Sequence, residues 1–417
     1  MKKFFVVLLF LLVSKSTIPN VMRSGIVHVP IIVAQDLDTT FNFGLNDPVI
    51  DWGKSPLKYE INESTKVIAL GEFTHGAKEV FEMKSNIVNY LIKNKGVEMV
   101  LFEFPDIVFK IINRYLLDDK VYSDEAARSL ILINLSSSYR TEEIVELCMQ
   151  IKIHNLSNKV KVQIRGMDIS PRVFTPIKYI IETYVTPYDL TAANSFAALD
   201  GNIPDTALLQ QLGSWMLQDQ SQLQPKLVGN NLLDFRYDLK TARSSFIMKN
   251  TKWSPLMRDS SMAENVKTLA EGRRAVVWAH NHHLMKSISI RGENRNLGSY
   301  LDTYYGTAYY MIATDFVGSA EVIVRKDDPA TGTSIYLSSP FSSKKQSFVN
   351  NYVKDKNPTN SFMLVKNDFK NRLLDVNLNT IDVIGSHYLL SQKKREKLPF
   401  DALIVLKGVS PAKMIKQ

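Results

Sequence analysis

The chain has 417 residues, of which 45% are hydrophobic and 22% charged, with a formal charge of +9. That length and balance suit one large globular domain or two modest ones, and no repeat or low-complexity tract argues for a fibrous or solenoid protein. The basic residues are spread along the chain rather than gathered in a stripe, which argues against nucleic-acid binding.

The chain opens "MKKFFVVLLFLLVSKS". Lys2 and Lys3 precede an apolar stretch over 4–13, the pattern of a secretory signal, and one too short to cross a bilayer as a helix. Cleavage near Ser16 or after Ala34 are both compatible with the pattern. The expectation is a leader over 1–34 and an exported, periplasmic or secreted protein with no stable membrane span after cleavage.

Five runs rich in Val and Ile follow, at 67–70, 97–102, 160–164, 275–278 and 309–313. Helical periodicity fills most of the space between them. Over 77–93, Val80, Ile87, Val88, Leu91 and Ile92 form one side, with Lys84 and Lys93 assigned to the other. Residues 123–153 read as one or two helices, with Ser123 as N-cap and Thr141-Glu142-Glu143 opening a second. Cys148, the single cysteine, sits there at helical spacing as a buried thiol and excludes an intrachain disulfide or a Cys-based zinc cluster.

Residues 171–257 hold few strand-like runs. Leu208, Leu209, Leu212, Met216, Leu223, Leu227, Leu232 and Leu233 recur there at helix-like intervals. The reading is a helical insertion, a cap between core strands, followed by an amphipathic helix over 258–270. Late pieces "SFMLVK", "TIDVIG" and "ALIVLKG" suit edge strands of the same sheet. Strands alternating with helices predict an α/β fold: a mainly parallel central sheet flanked by helices.

In such sheets the binding crevice lies at the carboxyl ends of the strands. Glu72 and His75 follow the first run, Glu103 ends the second and Asp168 follows the third. The fourth runs into "AHNHHL", which carries His280, Asn281, His282 and His283. A lone acid after a strand is often a helix cap, but Glu103 ends an apolar run, where an unpaired carboxylate is costly. His282 is expected to point away into solvent, and His28, His154 and His387 have no such context. Convergence of the others on one rim predicts a site about one substrate wide, in a pocket of several hundred Å³.

The chemistry these groups permit is hydrolytic. Histidine beside a carboxylate serves as a general base. No Gly-x-Ser-x-Gly elbow or Gly-rich phosphate loop is present. Direct attack by an activated water is the simplest mechanism. A His/carboxylate metal site, for zinc or manganese, stays open beside it.

The segments "GEFTHGAKEVFEMK", "VLFEFP", "IRGMDIS", "RDSSMAENV", "VVWAHNHHLMK" and the ending "FDALIVLKGVSPAKMI" resemble the erythromycin esterase family in order and spacing. The resemblance covers about 50–412 and makes 35–417 the catalytic domain. It implies an esterase that hydrolyses an ester or macrolactone, such as a macrolide antibiotic, by direct attack of water and without a cofactor. It places the general base on His75 with Glu72 and Glu103 beside it, and His280 and His283 across the cleft. Arg258 is implied to bind substrate or the developing oxyanion, with Asp168, Glu79 and Asn281 as further substrate-binding residues. Two other readings remain: a metal-dependent hydrolase or peptidase using His75, Glu103 and His283 as ligands, and a non-catalytic ligand-binding protein. The sequence sets no oligomeric state.

Overall fold

A computed structural model describes residues 40–415 except 45–49, 136, 170–176, 203, 219–229, 251–253, 287–294, 328–333, 357–359, 370–374, 383 and 394–397. The leader over 1–34 lies outside the described residues, as do Leu223 and Leu227. Among the described residues no helix is long and apolar enough to cross a membrane.

Eleven strands are described: β1 (Phe41–Phe43), β2 (Val67–Glu72), β3 (Met99–Pro105), β4 (Gln163–Asp168), β5 (Ala275–His280), β6 (Tyr309–Asp327), β7 (Ser334–Ser342), β8 (Ser361–Val365), β9 (Asp375–Ile381), β10 (His387–Lys393) and β11 (Ala402–Val409). The main sheet runs β1-β8-β11-β6-β2-β5-β3-β4, and β7 pairs with the outer part of β6. From β11 to β4 every neighbouring pair is parallel. The pairs β1–β8, β8–β11 and β6–β7 are antiparallel.

Four of the five apolar runs lie mostly in strands because both faces of this sheet are covered, so alternate residues need not be polar; the run 160–164 enters β4 only at Gln163, and Val160 ahead of it is exposed. Ile68, Leu70, Val100, Phe102, Val276 and Trp278 face one core, together with the helices Lys78–Lys95, Asp106–Leu117, Asp124–Asn134 and Glu142–Ser157. Val67, Ala69, Met99, Leu101, Val277 and Ala279 face a second core with the helix Pro255–Leu269. Ser123 and Thr141 cap their helices as expected, accepting from the backbone N–H of Ala126 and Ile144.

Between β4 and β5 the described residues are helical, including Leu190–Leu199, Asp205–Gln218 and Asn230–Asn250, and a third apolar cluster joins them. The long helix Asn230–Asn250 meets the carboxyl end of β4. The Tyr237 hydroxyl donates to the Gly166 carbonyl at 2.7 Å, Ser245 donates to the Ile169 carbonyl at 3.2 Å, and Arg165 pairs with Asp234 at 2.8 Å.

Four expectations need correction. The segments "SFMLVK" and "ALIVLKG" form β8 and β11, neither of them at the edge: β8 lies between β1 and β11, and β11 between β8 and β6, where an unbroken apolar stretch fits burial on both faces. The segment "TIDVIG" enters β9, which leaves the main sheet and pairs with β10. Lys84 is not on the solvent side of its helix but 1% exposed.

Candidate active site

The segment 71–76, "GEFTHG", leaves β2 under tight packing. A Cβ on Gly71 would stand 2.2 Å from the side-chain oxygen of Asn281, and one on Gly76 would stand 2.0 Å from the Ile323 carbonyl oxygen. Both glycines let the turn lie against β6 and the β5 end, and this fixes where Glu72 and His75 point. Phe73 adds a further hold: its N–H donates to Thr314 Oγ1 at 3.1 Å, and its carbonyl accepts from the Ile381 N–H at 2.8 Å.

Glu72 is fully buried. Its Oε1 accepts from Nδ1 of His75 at 2.5 Å, and its Oε2 accepts from Lys84 Nζ at 2.7 Å and Trp278 Nε1 at 2.8 Å. Lys84 also lies 4.1 Å from the centre of the Trp278 ring. Burial raises the Glu72 pKa, but Lys84 and His75 outweigh it and the carboxyl stays below its ordinary range. Burial lowers the His75 pKa, while the bond and charge of Glu72, with the charge of Glu103, bring it out above 6.5. With Nδ1 held by Glu72, the Nε2 of His75 has no protein partner among the described residues, and 13% of its side chain is exposed.

A second ionic cluster stands beside the first. Glu103 Oε2 accepts the backbone N–H of His280 at 2.9 Å, and Oε1 accepts from Arg258 Nη2 at 2.8 Å and faces His283 Nε2 at 3.1 Å. Arg258 also donates through Nε and Nη2 to Asp168, at 2.8 and 2.7 Å. His283 Nδ1 donates to Asp259 at 2.6 Å. Burial lowers the His283 pKa, but Asp259 and Glu103 drive it up to about 10, so the ring carries both protons. Arg258 Nη1 lies 3.1 Å from His283 Nε2, but two cationic donors do not bond each other. His283 Nε2 thus stands between Glu103 Oε1 and Arg258 Nη1, one N–H of which is aimed at the ring. Burial raises the Glu103 pKa, yet His283 and Arg258 hold it well below the usual carboxylate range.

The two clusters meet through the histidines. The His75 and His280 ring centres are 5.5 Å apart, His280 and His282 4.4 Å, and His282 and His283 3.9 Å. Thus Glu72, His75, Glu103, Asp168, Arg258, His280 and His283 come together at the carboxyl ends of β2, β3, β4 and β5. Most are closed off. The side chains of His75 and Arg258 reach solvent, the latter at 17%.

Four residues depart from the sequence reading. Glu79 is not brought to the cluster: its carboxylate takes the Ser410 N–H at 2.7 Å and the Ser410 hydroxyl. It lines a separate groove of about 1030 Å³ with Glu82 and Glu143, and no residue of the cluster lines that groove. Asn281 is fully buried and its amide clamps β6, donating to the Thr314 carbonyl at 2.6 Å and accepting the Thr314 N–H at 3.2 Å. No polar atom of it is left for substrate. His280 keeps its place but not a free ring. Its Nε2 donates toward the Phe73 carbonyl at 3.1 Å, beside Thr380 Oγ1 at 3.0 Å, so the bare Nδ1 accepts from His282 Nδ1 at 2.5 Å. Burial and the nearby charge of His75 push its pKa down to about 4, so it is a neutral, locked ring. His282, expected in solvent, is instead half-buried between His280 and His283.

The sequence reading missed Lys84, Asp259 and Trp278 as partners. Spacing held a signal for two of them. Lys84 falls four residues after Val80 and three before Ile87, on the apolar stripe, and Asp259 falls in line with Met262, Ala263 and Val266.

The family model described as erythromycin esterase matches residues 92–340, more than half of the chain. Erythromycin esterase type II of Escherichia coli is 29% identical over 133 residues, 32% of this chain and 30% of that protein. YbfO of Bacillus subtilis (strain 168) is 24% identical over 289 residues, 58% of this chain and 63% of that protein. The matched stretches therefore span less than two thirds of these curated relatives. A solved erythromycin esterase variant in an open conformation superposes with a TM-score of 0.67 at 13% identity, over 91% of this chain and 100% of that one, a likeness of fold. On the family match, the chain belongs to the erythromycin esterase family.

Proposed function

We propose that the protein is a hydrolase that cleaves an ester or macrolactone by direct attack of a water activated by His75, with a macrolide such as erythromycin as the leading substrate. The observation that carries this reading is the Glu72–His75 pair: a buried carboxylate fixes Nδ1 as the protonated nitrogen, and Nε2 of the partly exposed ring has no protein partner among the described residues. Nε2 takes a proton from water while the water oxygen bonds to the substrate carbonyl carbon. The charge that develops on the carbonyl oxygen is met by the Arg258 guanidinium, held in place by Asp168 and Glu103. Collapse breaks the carbon–oxygen ester bond, and the leaving alkoxide takes the proton back from Nε2. The products are an acid and an alcohol, and no covalent enzyme intermediate forms.

Family membership supports hydrolysis, and the ion pairing favours a metal-free route. The Arg258 guanidinium already sits between Glu103 and Asp168, and a divalent cation on these carboxylates would have to displace it. The helices between β4 and β5 join this reading as a cap that supplies apolar walls, since Asn230–Asn250 docks on the strand that carries Asp168. The test is a mass-spectrometric screen of purified protein against macrolides and simple esters after exhaustive chelation. Hydrolysis that survives chelation supports the proposal. Hydrolysis that needs added metal favours the metal-dependent reading, and tight binding without turnover favours a ligand-binding protein.

A further inference from the structure

The polar groups of the cluster are almost all partnered, and the exceptions define where chemistry happens. Both oxygens of Glu72, Glu103 and Asp168 accept hydrogen bonds, and both ring nitrogens of His280 and His283 are taken. His75 Nε2 is the exception: it has no protein partner among the described residues, and 13% of the side chain is exposed. One more polar atom borders this group: the hydroxyl of Tyr139, which is buried and has no hydrogen-bond partner.

Tyr139 ends the short turn Ser137–Tyr139 ahead of the helix Glu142–Ser157 and is 1% exposed. Its ring stands edge-on to the His75 ring with centres 6.2 Å apart. Phe81, Phe102, Phe104 and Phe109 surround it, with ring centres between 5.5 and 6.5 Å away, so the ring has little freedom to turn. Burial, with the charges of Glu72, Glu103 and Asp168, holds the phenol well above its ordinary pKa against the opposing charge of Arg258. The phenol therefore keeps its proton and serves as a donor.

A buried hydroxyl without a partner destabilises a fold, and phenylalanine fills the same shape without that penalty. Packing alone gives no reason for a tyrosine inside a cage of phenylalanines. Of the buried unpartnered side-chain atoms among the described residues, this is the one whose ring contacts His75. We propose that Tyr139 is a further catalytic residue, whose hydroxyl donates a hydrogen bond to the oxygen on which His75 acts and so orients the attacking water. No proton leaves the phenol: the proton of the water still passes to His75 Nε2. This inference rests on the hydrolytic reading above.

The experiment compares wild type, Tyr139→Phe and His75→Ala on one ester that wild type turns over, with a melting curve for each. The expected result for Tyr139→Phe is a kcat lower by about tenfold or more, from lost water orientation, with KM within about twofold. Its melting temperature should be unchanged or higher. A purely structural tyrosine gives the opposite pattern. Tyr139→Phe with wild-type kcat, while His75→Ala is inactive, overturns the role of Tyr139 and leaves the hydrolytic reading standing. A wild type that turns over no ester, or an active His75→Ala, overturns both.

Discussion

Lys84 Nζ lies 2.7 Å from Oε2 of Glu72, and both side chains are shut away from solvent. The lysine sits at the base of the Lys84–Glu72–His75 chain and holds the carboxylate ionised. Burial brings the Lys84 pKa down to about 8, against the pull of Glu72, so the pair is ionic at neutral pH.

Replacing one partner of such a pair leaves the other buried and uncompensated, at a cost of about 3–5 kcal/mol. Lys84→Met should therefore lower stability by that order. It should also move catalysis, because the Lys84 charge lowers the His75 pKa. Without it, the acid limb of the pH–rate profile should shift to higher pH, and Lys84→Arg should restore part of the shift. Chemical denaturation and a pH–rate series on both variants measure this. An unmoved acid limb in Lys84→Met argues that the lysine has no hold on His75.

The pH dependence of wild-type activity follows from His75 itself. The base form is the active one, and its folded pKa is raised above 6.5. Turnover should fall as the pH drops through that raised value, a point above the ordinary histidine range. A plateau of kcat/KM that extends unbroken below pH 6 is the outcome that contradicts a histidine base with this partner.

His283 gives a stability prediction of defined sign. Its folded pKa, about 10, lies above the unfolded value near 6.5, so the folded state binds more protons between them. Its contribution is complete below about pH 6.5 and is lost as the pH rises through about 10. His283→Gln should remove this part of the alkaline slope, and melting temperatures taken across the range compare the two proteins. Parallel slopes would mean that the ring is not held as an imidazolium by Asp259 and Glu103.

Gly76 is predicted to be intolerant for reasons of packing. Its carbonyl accepts the N–H groups of Ile323 and Ala412 at 2.9 and 3.0 Å, and a Cβ there would meet the Ile323 carbonyl. Gly76→Ala must push backbone apart, at a cost of about 1–3 kcal/mol, the usual scale of overpacking. Gly213, with nothing within 4 Å of its Cβ position, is the control. Equal stability of the two alanine variants would contradict the close approach.

The fold and much of the site were legible because burial on both faces makes parallel strands read as apolar runs, so an acid or a histidine after such a run stands out. Glu72, His75, Glu103, Asp168, His280 and His283 were found by that contrast. Lys84 and Asp259 lie on helices, where a charged residue on the apolar stripe looks like an ordinary break in amphipathicity. Tyr139 lies in a short turn with no periodicity to place it. Asn281 misled because a polar residue at a strand end looks the same whether it meets substrate or clamps the next strand. Glu79 misled in a similar way, since its partner Ser410 lies more than three hundred residues later in the chain.

The most direct measurement of the central claim is kcat for His75→Ala on an ester that the wild type turns over, with circular dichroism to verify folding. His154→Ala is the control, a helix-end residue whose Nδ1 lies 3.3 Å from the Asn158 amide nitrogen, away from the cluster. If His75 is the base, its removal should lower kcat by about 10²–10⁴, the usual scale for a general base, while His154→Ala stays near wild type. Near-normal turnover by a folded His75→Ala would take the base out of the mechanism and with it the account of this site.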